Sequence, residues 1–209
     1  YLHEKMYDYH VLQADETPVL VNRDGRPAGS KSYMWVYRTG RMYTDRQIVL
    51  YEYQRTRNAS HPREFLKDFS GICVTDGYQV YHTIENERED LVIAGCWSHA
   101  RRRFDEAVKA LPKAKQKDSR AYLALTMIQA IYREEKQLKE LPAQERQNRR
   151  QLNVKPLVEA YFVWVRENLS KVPQKSKTWE GFSYSLNQEK YLKVFLDDGE
   201  VPMDNNAAE

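Results

Sequence analysis

Gly71-Ile72-Cys73-Val74-Thr75-Asp76-Gly77 is a short apolar run that opens on a glycine and breaks at an Asp-Gly pair. Leu91-Val92-Ile93-Ala94 is a second run of the same kind. Runs without polar alternation suit strands covered on both faces, joined in a parallel sheet by a helical crossover. The middle of the chain therefore predicts two buried parallel strands. Toward the N-terminus, Val11-Leu12-Gln13-Ala14, Tyr33-Met34-Trp35-Val36-Tyr37 and Ile48-Val49-Leu50-Tyr51-Glu52-Tyr53 are rich in β-branched and aromatic residues and read as strands. Asp24-Gly25-Arg26-Pro27 and Thr39-Gly40 break them at lengths that suit antiparallel neighbours, which predicts a three-strand meander. A short helix is expected from His61 through Phe69, with Ser60 as N-cap and Pro62 in the first turn.

Toward the C-terminus the period becomes helical from Ser98. Ala100, Phe104, Ala107, Val108 and Leu111 fall on one face, and Leu125, Ile128, Ile131, Tyr132 and Leu138 share a second. A third helix is expected near Pro156, gathering Leu157, Ala160, Tyr161 and Trp164, with Pro173 beyond its end. This stretch reads as a helical insertion over 112–180, between the first part of an α/β core (1–111) and a return to that core (181–209). An antiparallel meander followed by parallel strands with helices between them is the arrangement of the ribonuclease-H-like mixed sheet. Pattern alone admits other α/β folds.

With 209 residues, 41% of them hydrophobic, the chain can bury a real core. No apolar run approaches the ~20 residues that a membrane-spanning helix needs, and Tyr1-Leu2-His3-Glu4 has no signal-peptide pattern, so the chain reads as soluble and cytoplasmic. Two cysteines, Cys73 and Cys96, do not make a disulfide framework and are expected as free thiols. The net charge of +3 does not imply nucleic-acid binding by itself. Basic residues nonetheless gather at Arg101-Arg102-Arg103, at Lys113, Lys115 and Lys117, from Arg146 to Lys155, and at Lys171, Lys175 and Lys177. Such runs are usually solvated faces.

Asp15 is expected at the end of the first strand and Asp76 at the end of the fourth. If those strands are adjacent and parallel, the two carboxylates meet at one edge of the sheet. Two Mg²⁺ or Mn²⁺ ions about 3.5–4 Å apart, held there, could activate a water or a DNA 3′-hydroxyl and stabilise the leaving oxygen of a phosphoryl displacement. Such hard cations require oxygen ligands and need only a few carboxylates. Asp76-Gly77 is equally an ordinary turn dipeptide, and Asp15-Glu16-Thr17-Pro18 could simply leave a strand and open a loop. Asn206-Ala207-Ala208-Glu209 has capping-box spacing, so Glu209 could serve only a backbone N–H at a helix start. A helix beginning there would also hold Glu209 in its first turn, pointing at a metal site if it packs near the sheet edge.

Ala14-Asp15-Glu16-Thr17, Val74-Thr75-Asp76-Gly77-Tyr78, Cys96-Trp97-Ser98-His99-Ala100-Arg101-Arg102-Arg103-Phe104 and Asp204-Asn205-Asn206-Ala207-Ala208-Glu209 occur in that order. Together they resemble the insertion-sequence sixty-six family of bacterial DDE transposases. Gly181-Phe182-Ser183-Tyr184-Ser185-Leu186-Asn187 and Asp198-Gly199-Glu200-Val201-Pro202 extend the likeness over nearly the whole chain. The resemblance implies a ribonuclease-H-like fold with a helical insertion between the second Asp and the Glu. It also implies Mg²⁺- or Mn²⁺-dependent cutting and joining of DNA at mobile-element ends, without a covalent enzyme intermediate, by a homo-oligomer on DNA. Asp15, Asp76 and Glu209 map onto the catalytic, metal-holding triad. The family pattern continues past the Glu with basic residues on the same helix, so the sequence reads as a fragment, which alone is expected to be inactive.

Cys96-x-x-His99 could be half of a zinc site, but no second half has suitable spacing, and Cys96 is read as a buried thiol. With Ser98 as N-cap, His99, Arg101, Arg102 and Arg103 would crowd a first helical turn, where each cation opposes the macrodipole by ~0.3–1 kcal/mol. An anion bound there would relieve this, since helix N-termini attract phosphate. These four residues are therefore expected to grip DNA backbone near the metals. Pairing of Arg101 with Asp105 and Arg102 with Glu106 at i,i+4 spacing is the plainer alternative. Trp97, Trp164 and Trp179 could stack on bases, but their spacing suits core. A nuclease of the same fold, such as a junction resolvase, and a non-catalytic DNA-binding remnant are the competing readings.

Overall fold

The structure is a computed structural model and describes residues 1–22, 25–27, 29–45 and 47–209. Asp24, in the first expected turn, lies outside the described residues. The chain divides into two compact units. Residues 1–94 and 200–209 form one, and residues 95–199 the other.

The first unit is mixed α/β. Its elements are α1 (Leu2–Met6), β1 (Val11–Leu20), β2 (Lys31–Thr39), β3 (Val49–Gln54), α2 (Ser60–Leu66), β4 (Gly71–Val74), α3 (Gln79–Asn86) and β5 (Leu91–Ala94). The sheet order is β3-β2-β1-β4-β5. β1–β2 and β2–β3 pair antiparallel, so the meander is present, and β1–β4 and β4–β5 pair parallel, with α3 as the crossover between the two apolar runs. One face of the sheet buries Trp35 and Tyr37. The Tyr37 ring stacks on Phe65 of α2 with centroids 3.4 Å apart, and His61 meets Trp35 edge-on. Gly71 opens β4 with φ +143°, and a Cβ there would collide with the carbonyl oxygen of His10, so only glycine fits this approach to β1.

Several boundaries differ from expectation, among them the end of α2, which stops at Leu66 rather than Phe69. β1 does not end at Asp15 but runs to Leu20, because Glu16 to Leu20 continue the antiparallel ladder with β2 as far as Leu20↔Lys31. Pro18 is tolerated there because pairing with β4 stops at Gln13↔Val74, leaving that side of β1 open. Ser60 is the first residue of α2 rather than its cap. Ala59 holds the cap position without a side-chain bond, and Asn58 Oδ1 accepts the Ser60 N–H at 2.9 Å.

The second unit is helical: α4 (Trp97–Lys109), α5 (Lys113–Gln116), α6 (Arg120–Gln137), α7 (Ala143–Arg149), a π-helical turn (Arg150–Val154), α8 (Lys155–Leu169), α9 (Lys177–Asn187), α10 (Glu189–Lys193) and a 3₁₀ turn (Val194–Leu196). Ser119 and Ser176 cap α6 and α9 by accepting the N–H of Tyr122 and Trp179. The π turn immediately precedes Pro156, whose missing N–H cannot close a normal helical bond. Trp97 is fully buried and donates its indole N–H to Leu192 O at 2.7 Å. Trp164 is partly buried and meets Phe182 edge-on at 5.5 Å, so Trp97 serves the core of this unit and Trp164 its margin. Among the described residues no helix is long and apolar enough to cross a membrane.

Candidate active site

Asp15 and Asp76 are brought to one place by strand register. In the parallel pair of β1 and β4, Gln13 stands opposite Val74. Two residues further along each strand come Asp15 and Asp76, just where β4 leaves the sheet. Thr75 N–H still bonds Ala94 O at 3.0 Å, after which the chain turns. Asp76 makes that turn: its Oδ1 accepts the Tyr78 N–H at 2.8 Å, leaving Oδ2 for other partners. The turn reading of Asp76-Gly77 and its placement beside Asp15 hold together.

Electrostatics report the gathering. Burial, then the negative charges of Glu16 and Asp76 and, more weakly, of Glu209, push the Asp15 carboxyl up to about 7, against a backbone hydrogen bond at Glu16. Among the described residues Asp15 has no ion-pair partner. Glu209 is exposed, beyond a turn at 206–208 in which Ala208 N–H bonds Asn205 O at 2.9 Å. The helix expected to begin at Asn206 is not formed: residues 206–208 make a single turn, and Glu209 follows it.

Glu16 and Arg57 were not singled out by sequence. Successive strand residues face opposite sides, so Glu16 points into the covered face while Asp15 points away. There Glu16 is buried, accepts Arg57 Nε at 2.7 Å and a second bond from Arg57 Nη2, and takes the Tyr81 hydroxyl at 3.2 Å. Burial and then the charge of Asp76 raise its pKa, against the bonds from Arg57 and Tyr81. Arg57 Nη2 also stands 3.8 Å from Asp76 Oδ2, and its guanidinium lies 3.8 Å over the Tyr78 ring. The one available signal was the adjacency of Glu16 to Asp15; nothing local connects either to Arg57.

On α4 the N-cap is Cys96, not Ser98, because the helix already begins at Trp97, whose side chain anchors the core. His99 is therefore the third helical residue, and Arg101, Arg102 and Arg103, all exposed, fall in the second turn. The macrodipole cost expected of them shrinks accordingly, since that effect is confined to the first turn. Arg101 lies over the Tyr132 ring at 5.7 Å and Arg103 over Tyr184 at 4.3 Å. Asp105 pairs with Lys109 at 2.5 Å, and Glu106 lies 4.0 Å from Lys177. Cys73 and Cys96 are buried and neither is in a disulfide, and burial pushes the Cys73 thiol up to about 12.

The model of the Transposase IS66 family matches residues 1–209. The chain belongs to that family. IS66-family membership accounts for the ordered motifs at Asp15, Asp76, Cys96 to Phe104 and Asp204 to Glu209. The chain is also 30% identical over 218 residues to the uncharacterized protein y4qI of Sinorhizobium fredii (strain NBRC 101917 / NGR234), covering 100% of this chain and 40% of y4qI. The uncharacterized protein y4jD of the same organism is 28% identical over 166 residues, covering 77% of this chain and 32% of y4jD. This IS66-family chain thus spans well under half the length of the curated relatives it matches.

Proposed function

We propose that the sheet unit is the ribonuclease-H-like catalytic core of a DDE transposase, in which Asp15, Asp76 and Glu209 hold Mg²⁺ or Mn²⁺ for DNA cleavage and strand transfer at mobile-element ends. The observation that carries this reading is the register of parallel β1 and β4, which sets Asp15 and Asp76 two residues beyond the Gln13↔Val74 pair, and it is supported by burial and neighbouring carboxylates that push the Asp15 carboxyl up. Collecting negative charge in this way costs stability unless a cation is bound. The donors are of the right kind: all are carboxylate oxygens, suited to hard divalent cations. When bound, the cations would activate the attacking oxygen and stabilise the leaving oxygen of an in-line displacement. The strand order β3-β2-β1-β4-β5, with its antiparallel and parallel halves, supports the fold reading.

The chain's own residues prepare the site. The Tyr78 N–H orients Asp76 by holding Oδ1, and the sheet ladder fixes the backbone of Asp15. Arg57 neutralises Glu16, so that this fourth carboxylate is kept on the other face. The helical unit is read as an insertion ahead of the third acid. His99, Arg101, Arg102 and Arg103 are read as contacts to DNA backbone, with a homo-oligomer assembled on the DNA. Replacing Arg102 and Arg103 with Ala should weaken DNA binding and flatten its salt dependence; an unchanged salt slope rejects that part.

The experiment for the whole reading uses a full-length transposase containing this core. Asp76→Asn should abolish strand transfer while leaving DNA binding intact. Retained strand transfer contradicts the assignment, and wild-type cleavage without joining would replace it with a nuclease.

A further inference from the structure

Asp15 is positioned by the sheet and Asp76 by the turn that leaves it, but Glu209 stands at the end of ten residues, Glu200 to Glu209, that contain neither strand nor helix. Those residues are nonetheless anchored. Asn205 is fully buried and uses both ends of its amide: Oδ1 accepts from Gln13 Nε2 at 3.0 Å, and Nδ2 donates to Ala14 O at 2.8 Å. Gln13, also fully buried, accepts the Arg41 backbone N–H on its Oε1 at 2.8 Å. The Arg41 side chain then returns to the same segment, with Nη1 2.7 Å from Oδ1 of buried Asp204. The hydrogen bonds thus form a closed circuit through Gln13, Asn205, Asp204 and Arg41. Arg38 Nη1 adds a bond to Ala207 O at 2.9 Å.

The location of this circuit gives it meaning. Gln13 is the last residue of β1 paired with β4, and Gln13 and Ala14 immediately precede Asp15. Among the described residues β1 has no strand on that side beyond that point, and the Asn205 amide supplies the partner for its backbone at Ala14. The segment bearing the third acid is therefore registered against the strand bearing the first.

We propose that Gln13, Arg41, Asp204 and Asn205 are positioning residues that hold Glu209 in reach of the cation bound by Asp15. The proposal rests on the metal-holding reading of Asp15, Asp76 and Glu209. None of the four touches the cation; they act through Glu209, and a supporting partner of this kind is typically worth 10–100-fold in metal affinity.

The test is Mn²⁺ affinity of the intact chain by calorimetry, with thermal melting as the control for folding. Glu209→Gln should weaken binding about tenfold, and Arg41→Gln should do the same in a folded protein. The sign is informative: removing a positive charge near an acidic site would, by electrostatics alone, tighten cation binding, so weakening must come through geometry. Arg41→Lys should retain affinity, and Arg41→Gln with Glu209→Gln should be no weaker than Glu209→Gln alone. Asn205→Ala should match Arg41→Gln; if it does not fold, the half-exposed Arg41 still decides. Wild-type affinity in Arg41→Gln, or multiplied losses in the double variant, overturns the circuit's role while leaving the metal site standing. Unchanged affinity in Glu209→Gln overturns the metal reading of Glu209 and the circuit with it.

Discussion

The two units bury charge in opposite ways. In the helical unit every buried charge described has an answer. Arg150, fully buried, reaches both oxygens of Glu135 at 3.1 Å and the carbonyls of Phe195 and Asp198 at 2.7 Å. Arg146 collects the carbonyls of Leu138, Lys139 and Leu141 in the turn just past the end of α6, and adds that of Gly199. In the sheet unit Glu16 is answered by Arg57, but Asp15 is surrounded by carboxylates. Answered charge marks a scaffold. Gathered, unanswered carboxylate marks a place where something positive is meant to bind.

The largest effect should come from the unanswered side: Asp15→Asn in a full-length transposase should remove strand transfer altogether while the protein's melting temperature holds or rises. Next, Arg150→Met should destabilise the helical unit by about 3 kcal/mol or more, because Glu135 and two carbonyls lose a buried partner. Calorimetric melting checks this, and Mn²⁺ affinity should not change. Arg57→Ala should cost about 2 kcal/mol by leaving Glu16 buried without its charged partner. A melt unchanged by Arg57→Ala would show that Glu16 is not an answered charge, and would blur the contrast between the units.

The smallest effect is a pH dependence. Asp15 has an ordinary carboxyl value of 3.8 and stands at about 7 in the folded chain, so between those values the folded state holds a proton that the unfolded state has released. Stability of the metal-free protein should therefore be fully present below about pH 4 and fall as pH rises toward 7. In Asp15→Asn that part of the slope should vanish, read from melts in chelator across pH 4 to 8. An identical slope in both proteins would mean that Asp15 does not carry the strain.

Sequence pattern carried the sheet well, for a physical reason. β4 buries Ile72, Cys73 and Val74, so its unbroken apolar run reports burial; the aromatic and β-branched residues of β3 report strand preference instead, since Val49, Tyr51 and Tyr53 are exposed, as is Val92 of β5. The far half of β1 was hidden because Thr17-Pro18 looks like a loop exit. Only the partner strand β2, with Pro18 opposite Tyr33, makes it a strand. The start of α4 was misjudged because Ser98 is the better cap by chemistry, whereas burial of Trp97 decides where the helix begins. Asp76 is legible as a residue just past a strand end, whereas Asp15 lies inside β1 and only the register of β1 against β4 brings it beside Asp76. The pairing of Glu16 with Arg57, 41 residues apart, and of Gln13 with Asn205, 192 apart, leaves no periodic trace in the chain.

The central claim is that Asp15, Asp76 and Glu209 together hold divalent cation. It is tested most directly by a crystal structure of the protein soaked in Mn²⁺ and read by anomalous scattering. The account predicts a peak bounded by carboxylate oxygens of Asp15 and Asp76, with Glu209 in reach. Mn²⁺ bound elsewhere, or no peak at Asp15 in a crystal that otherwise takes up the ion, would contradict it.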